Sequence, residues 1–241
     1  GGETGVSAYV SRAETRDYGL NAYGVSVGIN DRVELSLGHQ NFNTGITGTL
    51  LGLPGLHLKQ NILGAKVHIT DDTVLDSDSL MPQIAVGVQH KRLDSTGLDA
   101  TLQALGAKRS GTDVYVSATK LFLAQGVLVN GTLRATKANQ NGLLGVGGAQ
   151  SDRYKLQPEV SVALLLRKDV ALGAEYRAKP DHLNRSVLGD GALAEDDWFD
   201  VFIAWAPSKH FSLTAAYVDL GKIVPALQPR RQTGAYLSAQ L

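Results

Sequence analysis

The stretch YGLNAYGVSVGINDRVELSLGHQNF, residues Tyr18–Phe42, decides how this chain folds. Val25, Val27 and Ile29 alternate with Ser26 and Gly28, and Val33, Leu35 and Leu37 alternate with Glu34 and Ser36. Successive side chains of a strand point to opposite faces, so each half of the stretch carries one apolar face and one polar or small face. Asn30-Asp31 between the halves has the chemistry of a tight hairpin turn. The spacing predicts two antiparallel strands, Tyr18–Ile29 and Arg32–Phe42.

The same rhythm returns along all 241 residues. Further strands are expected near Val6–Ala13, Leu56–Ile69, Met81–Arg92, Thr112–Phe122, Val127–Lys137, Arg153–Leu166, Val170–Lys179, Asp196–Ala206, His210–Leu220 and Gln232–Leu241. Short turns follow the second, sixth, eighth and tenth strands. Longer connections follow the third, fifth, seventh, ninth and eleventh, with two exceptions, a short link after the first strand and a longer connection after the fourth. They include a glycine-rich loop at Asn43–Gly55, a segment with a short helix near Leu98–Leu105, and the Gly/Asn loop Ala138–Asp152. This is the pattern of an all-β protein, a transmembrane antiparallel β-barrel of about twelve strands with short periplasmic turns and longer external loops. An even strand count lets the first and last strands pair and removes both sheet edges. Residues 1–241 read as one such domain in a bacterial outer membrane, with a leader expected ahead of Gly1.

Composition narrows the choice. No run of about eighteen apolar residues exists, which excludes a helical membrane protein but not a barrel, where only alternate residues need be apolar. Lys+Arg and Asp+Glu both number 23, so the basic excess of a nucleic-acid binder is missing. There is no cysteine, hence no disulfide, thiolate metal site or cysteine nucleophile. A soluble β-sandwich would alternate too, but the polar faces here are what a barrel turns inward. Phe122, Trp205 and Phe211 near the short-turn ends, and Phe42, Tyr154, Tyr176, Trp198 and Tyr217 near the long-loop ends, fit two interfacial aromatic girdles.

Four segments resemble an uncharacterised family of proteobacterial outer-membrane proteins, the domain of unknown function 3034 family. They are RDYGLNAYGVSVGINDRVELSLG (Arg16–Gly38), GTDVYVSATKLFLAQGVLVNGTLRATKANQNGLLG (Gly111–Gly145), AEYRAKPD (Ala174–Asp181) and DDWFDVFIAWAPSKHFSLTAAYVDLG (Asp196–Gly221). The resemblance implies an outer-membrane barrel and carries no activity or catalytic residue.

If the apolar faces look outward, the opposite faces line a lumen. Its acidic candidates are Glu34, Asp113, Glu159, Glu175 and Asp200; its basic ones are Lys66, Lys91, Arg134, Lys155, Arg177 and Lys179. The near balance allows two readings, a narrow polar pore or a salt-bridged filling of a closed barrel. About twelve strands give an interior between filled barrels of roughly eight strands and open porins of roughly sixteen. Neither catalysis, a metal nor a cofactor is expected. No H-E-x-x-H or G-x-S-x-G occurs. GLLGVGG (Gly142–Gly148) lacks the Lys-Ser/Thr of a phosphate loop, His39 reads as a girdle histidine, and Asp71, Asp72, Asp76 and Asp78 read as a solvated acidic turn rather than a Ca²⁺ site.

The leading expectation is a channel for passive transport of small polar or amphipathic solutes. The alternative is a structural, anchoring component of an outer-membrane complex with a plugged lumen. A lipid-modifying enzyme is a weaker third. Expected partners are membrane lipid and lipopolysaccharide, with a possible protein partner and no nucleic acid; the sequence leaves the oligomeric state open.

Overall fold

In a computed structural model describing residues 4–70 and 80–241, period-two alternation becomes a closed antiparallel barrel of twelve strands. The strands are β1 (Gly5–Thr15), β2 (Gly19–Ile29), β3 (Val33–Asn43), β4 (His57–His68), β5 (Gln83–Leu93), β6 (Ser110–Phe122), β7 (Val127–Thr136), β8 (Lys155–Arg167), β9 (Val170–Arg177), β12 (Trp198–Ser208), β13 (Phe211–Asp219) and β14 (Thr233–Gln240). The short strands β10 (Arg185–Ser186) and β11 (Gly189–Asp190) form a separate hairpin in a loop. Closure comes from β1 against β14, with Ser11 opposite Ser238 and Ala13 opposite Tyr236. Asn30 and Asp31 both adopt positive φ, the backbone a two-residue hairpin turn requires.

The apolar phase faces outward all round. Val25, Leu37, Leu63, Val114, Val160, Val201 and Leu237 are each exposed although they sit in regular strands. A soluble protein would bury such a belt; lipid leaves it nothing to escape. No helix among the described residues is long and apolar enough to cross a membrane.

Inside, glycines make room for rings. Tyr9 lies across Gly24, Tyr115 across Gly87 and Phe202 across Gly173; a Cβ at any of the three would lie within 2.6 Å of a ring carbon. The lumen is therefore partly filled by side chains along its wall.

At the long-loop end, apolar residues gather into a cluster that includes Tyr18, Phe42, Leu93, Leu102, Leu143, Leu183 and Ile223. These come from strand ends and from the long connections, so the loops share one apolar core over the barrel mouth. Helix α2 (Asp99–Leu105), expected near Leu98–Leu105, contributes Leu102 and Leu105. Within Asn43–Gly55, expected to be plain loop, six residues form helix α1 (Gly45–Leu50). Glycine and threonine are poor helix formers; packing overrides propensity, with Tyr18 Oη 2.8 Å from Thr47 Oγ1.

Two of the expected girdle aromatics face the wrong way. Phe42 shares the inward phase of Gln40 and stacks on Tyr18 at 5.2 Å. Trp198 shares the inward phase of Asp200 and lies under the Lys179 ammonium at 5.0 Å. Tyr154, Tyr176 and Tyr217 do face outward, as do Phe122 and Trp205 at the other end. The acidic turn with Asp71, Asp72, Asp76 and Asp78 lies outside the described residues.

Candidate functional site: the lumen and its loop tip

The alternation that turns apolar residues to lipid turns the charged set inward. Glu34 (β3) and Lys66 (β4) are register partners and pair at 3.1 Å. Further round the wall, β5 to β9 bring five charges into one network. Lys91 Nζ lies 2.8 Å from Asp113 Oδ2, and the Arg134 guanidinium reaches the same oxygen at 3.8 Å. Arg134 Nε donates to Glu159 Oε1 at 2.7 Å, and Arg177 Nε approaches that oxygen at 3.3 Å. Thr136 Oγ1 donates to Asp113 Oδ1 at 2.6 Å, and Arg134 Nη1 donates to Gln89 Oε1 at 2.9 Å. The guanidinium also stacks 4.8 Å from the Tyr115 ring. Each buried charge has an opposite neighbour, as it must where a lone one would cost several kcal/mol.

Glu175 and Asp200, register partners on β9 and β12, lie one inward position nearer the short-turn end than Arg177. Ser161 Oγ donates to Glu175 at 3.1 Å. The remaining two candidates belong to the mouth. Lys155, first residue of β8, donates to the carbonyl oxygens of Pro180 and Asp181 at 2.5 and 3.3 Å. Lys179 was expected on the lumen face of a strand reaching it; β9 ends at Arg177, and Lys179 sits in the following loop. The chain leaves the sheet there because Lys179 N–H donates to the Asp197 carboxylate, at 3.1 Å, rather than into the ladder.

The loop between β7 and β8 folds into the mouth. Gln140 and Asn141 take left-handed backbone conformations, with φ of 44° and 61°. They turn the tip onto the lumen wall, where Gln60 Nε2 donates to the Asn141 carbonyl at 3.2 Å and to Gln40 Oε1 at 2.6 Å. Gly142 follows at φ 103°, and a Cβ there would come within 2.5 Å of Gln60 Oε1 and 3.3 Å of Lys91 Cδ. Only glycine allows both the backbone turn and the close approach.

A buried latch holds this tip from above. Lys179 Nζ donates to Gln140 Oε1 at 2.7 Å, and Gln140 N–H donates to Glu195 Oε1 at 3.0 Å. Lys179 Nζ and Glu195 Oε2 are 3.9 Å apart, with side chains only 2% and 1% exposed. Burial pushes Glu195 up to about 7 against the pull of Lys179, and burial pushes Lys179 down to about 8 despite the nearby carboxylates.

Below the tip, Lys91, Arg134, Arg177, Gln40, Gln89 and Tyr9 help to line a chamber of about 280 Å³, with Asn141 also on its wall. Charge alone does not pick out the neutral members, but strand phase does: Gln40 shares the phase of Glu34, and Gln89 that of Lys91. Nothing local marks Gln140, Asn141 and Glu195, whose positions depend on long-range contacts. His39 lies on the outer wall, 5.2 Å from the Tyr23 ring, and its Nδ1 bonds Asn61 Oδ1 at 2.7 Å. No group of His, Asp and Glu side chains suited to a metal ion occurs among the described residues.

Residues 1–240 match the family described as "Protein of unknown function (DUF3034)", and the chain belongs to it. No curated protein matches. The fold is similar to that of the NanC porin (8% identity, 98% of each chain covered, TM-score 0.61) and the KdgM porin (9% identity, 97% of each, TM-score 0.55). It is also similar to Acinetobacter baumannii outer membrane protein Omp33 (6% identity, 98% of this chain and 96% of that one, TM-score 0.50). Together with the closed barrel and its apolar belt, these likenesses make this an outer-membrane β-barrel with short periplasmic turns and long external loops.

Proposed function

We propose that this member of the DUF3034 family is a narrow channel for passive passage of small polar or amphipathic solutes. The observation that carries the reading is the partly open polar chamber of about 280 Å³ lined by the barrel wall and the tip at Asn141. A barrel that served only as an anchor gains nothing from keeping buried cations beside a cavity, since apolar filling is at least as stable. In this reading the loop tip held on Gln60 covers the external mouth, and passage is gated by its release. We assign no catalytic role, and the outer belt and rim are read as contacts for membrane lipid and lipopolysaccharide.

The apolar cluster over the mouth favours a second reading, a plugged barrel that anchors a protein partner. Liposome swelling separates the two. A channel lets small sugars and amino acids in while excluding larger oligosaccharides. A plugged anchor admits none of them and instead brings down a stoichiometric partner in mild detergent.

A further inference from the structure

The five-charge network below the loop tip does not balance. Three cations, Lys91, Arg134 and Arg177, share two carboxylates, Asp113 and Glu159. Neither carboxylate borders the chamber. All three cations do border it. A solute entering therefore meets three cations and no carboxylate on the chamber wall, with fixed hydrogen-bonding groups at Gln40, Gln89 and Tyr9. Tyr9 lies against Gly24 and Gly38, with its Oη 3.0 Å from where a Cβ at Gly38 would sit, which fixes the phenol at the chamber wall.

We infer that the chamber under the Asn141 tip is a binding site for a small hydroxylated organic anion bearing a carboxylate. Arg177 is the member free to take it. Its guanidinium shares Glu159 with Arg134, which holds that carboxylate more closely, and its side chain is 38% exposed against 9% for Arg134. A guanidinium presents paired N–H donors that fit a carboxylate's two oxygens. The hydroxyls of the anion would meet the amides of Gln40 and Gln89 and the phenol of Tyr9. At about 30 Å³ per water, the space equals roughly nine waters, the bulk of one small organic molecule. Glu175 and Asp200, one tier nearer the periplasm, stay outside the chamber; they repel an anion that has passed Arg177 and favour its being held above them.

The assignment rests on the lumen being a solute path, yet binding can be read without current. Ligand-observed NMR on the detergent-purified full chain, with glucuronate, glucose and inorganic phosphate as probes, is the test. Glucuronate is expected to bind at least about tenfold more tightly than glucose, the scale of one charge-assisted hydrogen bond, and more tightly than phosphate, which lacks the hydroxyls. Arg177→Gln, which balances the network at two charges of each sign, should weaken glucuronate about tenfold and leave glucose unchanged. Equal binding of glucuronate and glucose, or no loss in Arg177→Gln that still shows the folded barrel's gel mobility, overturns the site. Phosphate binding as tightly as glucuronate overturns the organic class. Silent bilayers with glucuronate binding retained would remove the channel reading and leave the site standing.

Discussion

Acidifying the external solution should close this barrel further, and the latch at the mouth sets the size of the effect. With the loop tip seated, Glu195 is buried and holds its proton up to about pH 7. With the tip released into water, the same carboxyl returns to its ordinary value near 4.5. Between these values the seated form binds a proton that the released form has lost, so falling pH favours seating. The gain begins near pH 7 and is complete near 4.5. At pH 7 the seated carboxyl is half protonated, so going from pH 7 to 5.5 contributes about 1.6 kcal/mol, or a released population about fifteenfold smaller. Lys179 gives the mirror image. Burial lowers it to about 8 from its ordinary 10.5, so seating is favoured again as pH rises through that range. The open fraction should therefore peak between about pH 7 and 8. The other charges facing this pair are Asp181, Asp196, Asp197 and Lys155. Single-channel open probability measured against external pH is the assay. Glu195→Gln should remove the acid limb and keep the alkaline one; Lys179→Met should do the reverse. An open probability that rises steadily on acidification, or an acid limb that survives in Glu195→Gln, refutes the latch.

Three further perturbations follow from the same geometry. Gly142→Ala should unseat the tip from Gln60 and Lys91, raising open probability at pH 5.5 in the same recording, because the added methyl needs space that the Gln60 amide already fills. Arg134→Ala leaves Glu159 only the longer contact to Arg177, and should lower barrel stability by about 3–5 kcal/mol, read as an earlier loss of the folded gel band on heating. Val116→Arg, halfway along β6 on the lipid face, should cost about 2–4 kcal/mol in lipid vesicle folding, while Ser117→Arg on the lumen face should cost far less.

The barrel wall was legible because alternation is local. Val25, Val27 and Ile29 announce a strand and its outer face without reference to any other segment. The lumen charges followed from the same phase, and Arg134 and Glu159, on adjacent strands, could be expected to meet. Phase was also the signal for Phe42 and Trp198, whose inward positions set aside their apparent fit to a girdle. The mouth was not legible. Gln60 and Asn141 are 81 residues apart in sequence, and their hydrogen bond depends on where the barrel carries each strand end. GLLGVGG reads as part of an external loop, yet Gly142 is the residue that lets the tip enter. Lys179 looked like one more inward strand residue until Asp197 and Gln140 drew it out of the sheet.

Recording current from the purified, folded chain in planar bilayers tests the channel most directly. A channel with its external mouth covered predicts discrete, small conductance steps at pH 7.5 that become rarer at pH 5.5. Continued silence at high protein load, from protein that keeps its folded gel mobility, contradicts it.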